Sequence, residues 1–538
     1  MPMTSLLLPS RPRKHLHPHL HLDSLPGRRS GSAVRVKVRA WAAAIGCALF
    51  NCLAPAHAAE PPAPIPTFGD SPCVERPQPA ASGQPPAPPA RIPGLRYECH
   101  VMTGGQPLFV GRAGPADPPA NLPVLLLIHG LGQNAHTDWA EPVQALASRF
   151  QIVAVDLPGF GASPPPLGPY AFDTLGRQLA QLVTRLAPGR RVHVVGHSLG
   201  GAVALHFAHR HAALVDRLVL VDAAGLLLKQ VFMRHMTAQA VPSTGVAPLD
   251  AVIRGMGGRL RDLGSYLFLG QDARFDFLPW LMGNPQARKA LLGGVVQADA
   301  AITLVEQDFT AALRETTVPT TLIWGSEDRI APPRTGRILA ARMPQVRLQV
   351  MAGAGHTPMA ERPGEFNRLL LDALTGPVPP RSAGFAPGTT ASTRSQGELT
   401  CQAQDGARYS GRIDKLTLNG CRNVRIEGAQ IGALVLSDAL ATLDDSSIDA
   451  GRGVAIDARN SELIVTTSRI RARVAIRAEN SWFDLAGVSL TASEAAMQWR
   501  DATSRAFFSL SDWDAPEHRG DAHFMWPRTA AGAQGSGR

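Results

Sequence analysis

Between residues 95 and 374 short apolar runs recur along the chain, at Val124 to Ile128, Ile152 to Val155, Val192 to Val195, Leu218 to Val221, Thr321 to Trp324 and Arg347 to Met351. Each is strand-length, and helix-like stretches separate them. Such alternation predicts a parallel sheet with helices on both faces. One interval breaks the rhythm. From about 225 to 315 the chain is rich in Leu, Met, Phe and Gly, carries Trp280 and shows no convincing strand, which predicts a mainly helical cap inserted over the functional end of the sheet.

Beyond a Pro/Gly/Ser/Thr-rich linker at 376–397 the pattern changes. Val454-Ala-Ile456 recurs as Val474-Ala-Ile476, and Asn460-Ser461 recurs as Asn480-Ser481, both at a period of 20, with Leu434-Val-Leu436 extending the series. Short alternating strands with Asn/Ser/Gly corners suggest a parallel β-helix, resembling the right-handed kind, with about five rungs between Leu399 and Trp513. An antiparallel β-sandwich is the competing reading, since alternation does not separate the two. The repeated Asn suits stacked corners, where its amide can bond to the same group one rung away.

Composition changes the picture mainly at the amino end. The formal charge of +10 looks like a nucleic-acid signal, but residues 1–58 hold eight Lys/Arg against Asp23 alone, which leaves 45 basic and 42 acidic residues in the rest. Nucleic acid is therefore excluded as a partner. Arg35, Lys37 and Arg39 precede an apolar run that ends near Leu53, and Ala56-His57-Ala58 fits a cleavage site, so 1–58 reads as a signal peptide, with an uncleaved anchor as the alternative. No membrane span is expected after processing, and the expected location is periplasmic or secreted. Cys47 and Cys52 fall in the leader. Cys73, Cys99, Cys401 and Cys421 remain, and local pairing, 73 with 99 and 401 with 421, is expected in an oxidising compartment, against four unpaired thiols. Residues 59–93 form a Pro/Ala-rich linker. The expected organisation is then a core domain over 94–375, the linker at 376–397, a repeat domain at 398–515 and a tail at 516–538.

Candidate chemistry centres on Gly196-His197-Ser198-Leu199-Gly200, a G-x-S-x-G between a strand and a helix. The glycines permit a sharp turn that lifts the serine hydroxyl above the sheet. A serine hydroxyl needs an imidazole, and the imidazole a carboxylate. Trp324-Gly-Ser-Glu327-Asp328 leaves one strand with acids, and Gly353-Ala-Gly355-His356 leaves the next with a histidine. With His129-Gly130-Leu131-Gly132 and Asp156-Leu-Pro-Gly-Phe-Gly-Ala-Ser163, these motifs stand in the order of the α/β-hydrolase family, which residues 95 to 374 resemble. The fold class is accordingly α/β, an α/β-hydrolase sheet with an inserted helical cap, plus a C-terminal all-β parallel β-helix domain.

The resemblance implies Ser198 as nucleophile, His356 as general base and later acid, and Asp328 as its orienter, with the backbone N–H groups of Leu131 and Leu199 as the oxyanion hole. Glu327 adjoins Asp328, and Asp222, after the Leu218 to Val221 strand, is an alternative acid position in this fold. His129 reads as structural, and His197 as a neighbour without a proton-transfer role. A serine at the elbow disfavours epoxide opening and dehalogenation, which use a carboxylate there. What remains is acyl transfer to water through an acyl-serine, most simply on a small-molecule or lipid-like carboxylic ester; transfer to another acceptor, or a non-catalytic polysaccharide-binding or scaffold protein, are the alternatives. No cofactor or metal motif is present in the sequence. The repeat domain would serve targeting or association, with polysaccharide as a candidate partner. Asp444, Asp445, Asp449 and Asp457 read as solvated corner formers rather than a second active site.

Overall fold

In a computed structural model the described residues are 73, 91–132, 135–227, 284, 286, 296–380 and 394–527. The expected signal peptide, most of the 59–93 linker and the larger part of the expected cap lie outside them. At the carboxyl end of the cap interval the structure contains helices over Val296–Glu306 and Thr310–Glu315.

Eight strands form the first sheet: β1 (Arg96–Val101), β2 (Pro107–Ala113), β3 (Val124–Ile128), β4 (Gln151–Val155), β5 (Val192–His197), β6 (Val215–Val221), β7 (Thr320–Gly325) and β8 (Val346–Met351). Their order is β1-β2-β4-β3-β5-β6-β7-β8. From β4 to β8 every pairing is parallel, as the apolar runs predict. β1 and β2 correct the all-parallel expectation, because β1 pairs antiparallel with β2 and β2 antiparallel with β4. β1 lies at the edge and is only half covered, whereas β2, between β1 and β4, is buried over 107–111, a run too short and too flanked by Pro107 and Gly111 to read as a doubly buried strand.

The central strand β3 is apolar throughout because both its faces are covered. In β3, Val124, Leu126 and Ile128 join one buried cluster with helices α2 (Phe172–Leu186) and α3 (Leu199–Arg210), whereas Leu125 and Leu127 join another with α1 (Ala140–Leu146) and the helix Pro363–Thr375. The alternation of β side chains thus feeds two layers at once. Removal of a single buried Leu from either layer would cost about 2–5 kcal/mol.

Residues 398–526 form a C-terminal all-β region. Nearly all its strand pairs are parallel and join segments one repeat apart, with bonded residues 17 to 23 apart. Val454 stands opposite Val474 and Ile456 opposite Ile476, the predicted period of 20. The extension to Leu434 is corrected: Leu434 stands opposite Ile456, because the intervening turn is longer. Asp438, Asn460 and Asn480 occupy one corner with φ of 52°, 48° and 46°, a conformation that Asn and Asp tolerate best among residues with a Cβ. Asn460 donates to Asp438 at 3.2 Å and Asn480 to Asn460 at 3.0 Å. Strands over His518–Ala522 and Met525–Trp526 pair antiparallel with the strands just before them, so the sheet runs into the stretch expected as a tail. Disulfides join Cys73 to Cys99 and Cys401 to Cys421.

The two regions are in contact. Ala486, Phe507 and Leu510 share a buried cluster with Ile338 and Leu339 of α6, as this helix over Pro333–Arg342 is numbered after α4 (Val296–Glu306) and α5 (Thr310–Glu315). Arginines on α5 and α6 face aspartates on the β region: Arg314 with Asp512 (2.8 Å) and Asp521 (3.0 Å), Arg337 with Asp444 (3.4 Å) and Asp445 (3.6 Å), Arg334 with Asp484, and Arg342 with Asp512. Among the described residues no helix is long and apolar enough to cross a membrane.

Candidate active site

Ser198 stands alone at the corner between β5 and α3, with φ 53° and ψ −118°. A serine held there carries strain of about 1–3 kcal/mol and persists only where its surroundings fix it. The fixing bonds are short. Ser198 N–H donates to Val221 O at 3.0 Å, and Ser198 O accepts from Gly201 N at 3.0 Å and Ala224 N at 3.3 Å. Neither flanking glycine could carry a side chain: a Cβ at Gly196 would lie 2.1 Å from Gly200 O, and one at Gly200 would lie 2.3 Å from the carbonyl oxygens of Ile128 and His129. The glycines let the ends of β3 and β5 close on the start of α3.

His356 follows β8, with Nε2 3.0 Å from Ser198 Oγ and Nδ1 2.8 Å from Asp328 Oδ2. Asp328 follows β7, and its Oδ1 accepts from the N–H groups of Ile330 (2.7 Å) and Ala331 (3.0 Å). All three side chains are buried. Burial raises the Asp328 carboxyl, but the hydrogen bond and charge attraction of His356, with the neighbouring Asp222 and the Ile330 amide, outweigh it and hold the group below its ordinary value. An ionised Asp328 can only accept, so the His356 proton sits on Nδ1. Nε2 then faces the serine hydroxyl with its lone pair.

The remaining candidates separate clearly. Glu327 is exposed. Asp222 is fully buried, its Oδ1 accepting from Gly325 N at 2.9 Å, and burial followed by the charge of Asp328 raises its carboxyl well above the usual range. His129 accepts from Leu157 N at Nε2 (3.0 Å) and donates from Nδ1 to Gly130 O (2.6 Å), a neutral ring whose two nitrogens are spent on the loop. Burial lowers its pKa. His197 donates from Nε2 to the carbonyl of His356 at 2.8 Å, and burial, with the nearby His356, pushes its pKa down to about 3.

Leu131 and Leu199 have fully buried side chains, so what they offer outward is backbone. Leu199 opens α3, where an N–H has no acceptor within the helix. The loop before Leu131 packs on the Ser198 corner: a Cβ at Gly130 would be 3.2 Å from Ser198 Cβ.

Sequence reasoning assigned no role to two supports. Glu361 brackets His356 by accepting from Thr357 N (3.0 Å), Thr357 Oγ1 (2.9 Å) and Gly355 N; its one cue is a carboxylate shortly after the histidine loop. Asp156 accepts from His136 N (2.8 Å), His136 Nδ1 (2.9 Å) and Ala162 N (2.9 Å), which builds the loop after β4. In the β region, Asp444 and Asp445 pair with Arg337, Asp449 accepts from Gly451 N, and Asp457 pairs with Arg477 and Arg500, so the four acids do not converge on one point. Among the described residues no cluster of His, Cys, Asp and Glu could hold a metal ion.

Residues 125–369 match the family model described as Alpha/beta hydrolase family. An uncharacterized protein of Mycobacterium tuberculosis is 32% identical over 255 residues, 45% of this chain and 73% of that protein. The pimeloyl-(acyl-carrier protein) methyl ester esterase of Chromobacterium violaceum is 31% identical over 262 residues, 47% of this chain and 94% of that enzyme. The 2-hydroxy-6-oxononadienedioate/2-hydroxy-6-oxononatrienedioate hydrolase of Cupriavidus pinatubonensis is 27% identical over 266 residues, 48% of this chain and 89% of that enzyme. Each match spans less than half of the chain.

Proposed function

We propose, on the premise that this chain belongs to the alpha/beta hydrolase family, that it is an exported serine hydrolase cleaving carboxylic esters through an acyl-Ser198 intermediate. One observation carries the reading: His356 bridges Ser198 Oγ at 3.0 Å and Asp328 Oδ2 at 2.8 Å.

In this reading Ser198 Oγ attacks the ester carbonyl as the hydroxyl proton passes to His356 Nε2. The N–H groups of Leu131 and Leu199 receive the oxyanion, an interaction that forms fully only as charge develops and is worth about 3–4 kcal/mol per donor. His356 then protonates the leaving alcohol, and the same imidazole activates the water that releases the acid. Asp328 keeps the imidazole in the required tautomer throughout. The 31% identical esterase supports an ester as the bond cleaved.

The boundaries at 94–375 and 398–515 are read as those of a hydrolase domain and an appended domain. Three rows of parallel pairs, through Leu434–Ile456–Ile476, Ala441–Leu463–Phe483 and Ile448–Ile470–Leu490, support a parallel β-helix for the second. Its role is targeting or association. Two disulfides accord with export to a periplasmic or extracellular location. The test is turnover of nitrophenyl esters from acetyl to palmitoyl by the protein lacking residues 1–58, beside its Ser198→Ala variant. Activity abolished in the variant is the expected result. Equal activity in both proteins, or no covalent labelling of the wild type by a serine-directed phosphonate, overturns the reading.

A further inference from the structure

We propose that Asp222 is a positioning acid of this site, held protonated and donating its hydrogen to Asp328, so that it steadies the carboxylate on which His356 depends. The role assigned to Asp222 rests on reading Ser198, His356 and Asp328 as the reacting group; its protonation does not.

The two acids come together because β6 and β7 are neighbours with Val221 opposite Ile323, and each strand ends in a turn that carries an aspartate. Asp222 N–H continues the ladder to Ile323 O at 3.1 Å, in a backbone with φ 43°. Both residues then hang on Gly325. Its N–H donates to Asp222 Oδ1 at 2.9 Å, and its carbonyl accepts from Asp328 N at 3.3 Å. Gly325 thus brings the two carboxyl groups close enough for each to act on the other's charge.

Donors are shared unequally between them. Asp328 receives three, from Ile330, Ala331 and His356, and both its oxygens are engaged. Asp222 receives the Gly325 amide on Oδ1, while its Oδ2 is buried and meets no donor. A buried carboxylate oxygen with nothing to accept from carries a large desolvation cost. Two carboxylates in contact away from water do not both stay ionised, and the proton goes to the one with less support. That one is Asp222. The acids facing it are Asp328 and Glu361, and both add to the effect of burial in keeping it neutral. As a neutral acid it turns the orphaned Oδ2 into an O–H donor for Asp328 and adds no second negative charge beside His356. No bond is made or broken; one proton is retained and shared.

The experiment uses the full chain with two substitutions. Asp222→Asn copies the protonated acid, its Oδ1 accepting from Gly325 N–H and its Nδ2–H donating to Asp328. The expected kcat/KM stays within about threefold of wild type, with an unchanged pH profile. Asp222→Leu removes the donor with a side chain of similar branching; loss of one hydrogen bond to a buried charge predicts a kcat lower by about tenfold or more, KM little changed and the acid limb moved to higher pH. Infrared difference spectroscopy between wild type and Asp222→Asn at pH 7 is expected to show a carboxylic acid C=O band lost in the variant, a readout that holds even if the leucine variant fails to fold or every ester tested proves inert. An Asn variant as impaired as the Leu variant, or the absence of that band, overturns the proposal. Failure of the ester assays with the band present would instead count against the proposed reaction and leave the proton where it is placed.

Discussion

Arg334→Met should separate a buried ion pair from a surface one. The Arg334 guanidinium, 16% exposed, meets the Asp484 carboxylate, 2% exposed, across the contact between α6 and the β region. Removing the arginine leaves a carboxylate that water cannot reach, and truncating one partner of such a pair typically costs about 3–5 kcal/mol. Removing both charges, in Arg334→Met with Asp484→Leu, eliminates the stranded charge, so the double variant should recover most of that loss and the coupling between the two sites should exceed about 1.5 kcal/mol. Arg519 and Asp514 serve as the control, 3.4 Å apart but 80% and 67% exposed; breaking that pair should cost under about 1 kcal/mol. Urea unfolding of the four variants and wild type, followed by tryptophan fluorescence, measures these differences. If Arg334→Met is no more damaging than Arg519→Met, or if the double variant is as unstable as the sum of its singles, the contact is not an intramolecular docking surface.

Asp328→Asn should lower kcat by about 10³–10⁴-fold with KM nearly unchanged, because the amide would favour the tautomer with the proton on Nε2; a loss under tenfold on any hydrolysed ester would point to another acid. Gly200→Ala, which would set a Cβ 2.3 Å from two backbone carbonyl oxygens, should abolish activity and destabilise the protein by more than about 3 kcal/mol, checked by thermal melting beside turnover. Stability should also fall in mild acid. Burial holds His197 and His193 neutral, with pKa values near about 3 and about 4, whereas the unfolded chain takes up protons near pH 6.5. Their contribution is therefore complete above about pH 6.5 and drains as pH falls toward those values, about 2 kcal/mol for each ring by pH 5. An unchanged melting temperature between pH 7 and pH 5 would contradict this.

The parallel core was legible because a strand buried on both faces must be apolar at every position, as Val124 to Ile128 is, and few other local structures ask for that. β1 was not, since an edge strand such as Arg96-Tyr-Glu-Cys-His-Val101 alternates only weakly and resembles a loop in composition, and β2 beside it offers only Leu108-Phe-Val110 between Pro107 and Gly111. The repeat was visible where successive turns are equal in length, as between Val454 and Val474. It faded where a turn changes length, because one extra residue moves the sequence match without disturbing the stacked register. The antiparallel strands after residue 517 fall outside the period altogether.

At the candidate site, serine and histidine are distinctive by type and setting, but the acid is not. Two neighbouring strands each release an aspartate, and nothing in Val221-Asp222 or Glu327-Asp328 says which reaches His356. The answer depends on donors that sequence does not display: the amides of Ile330 and Ala331, which exist as a pair only once the chain turns after β7, and the Gly325 amide, which serves the other acid. Backbone geometry thus gives chemically identical side chains opposite protonation states, one suited to accept from an imidazole and the other to donate to its neighbour. Exchanging those environments, rather than the residues, would exchange the roles. For that reason a variant that loosens the turn carrying the Ile330 and Ala331 amides should impair His356 more than a conservative change at Asp222.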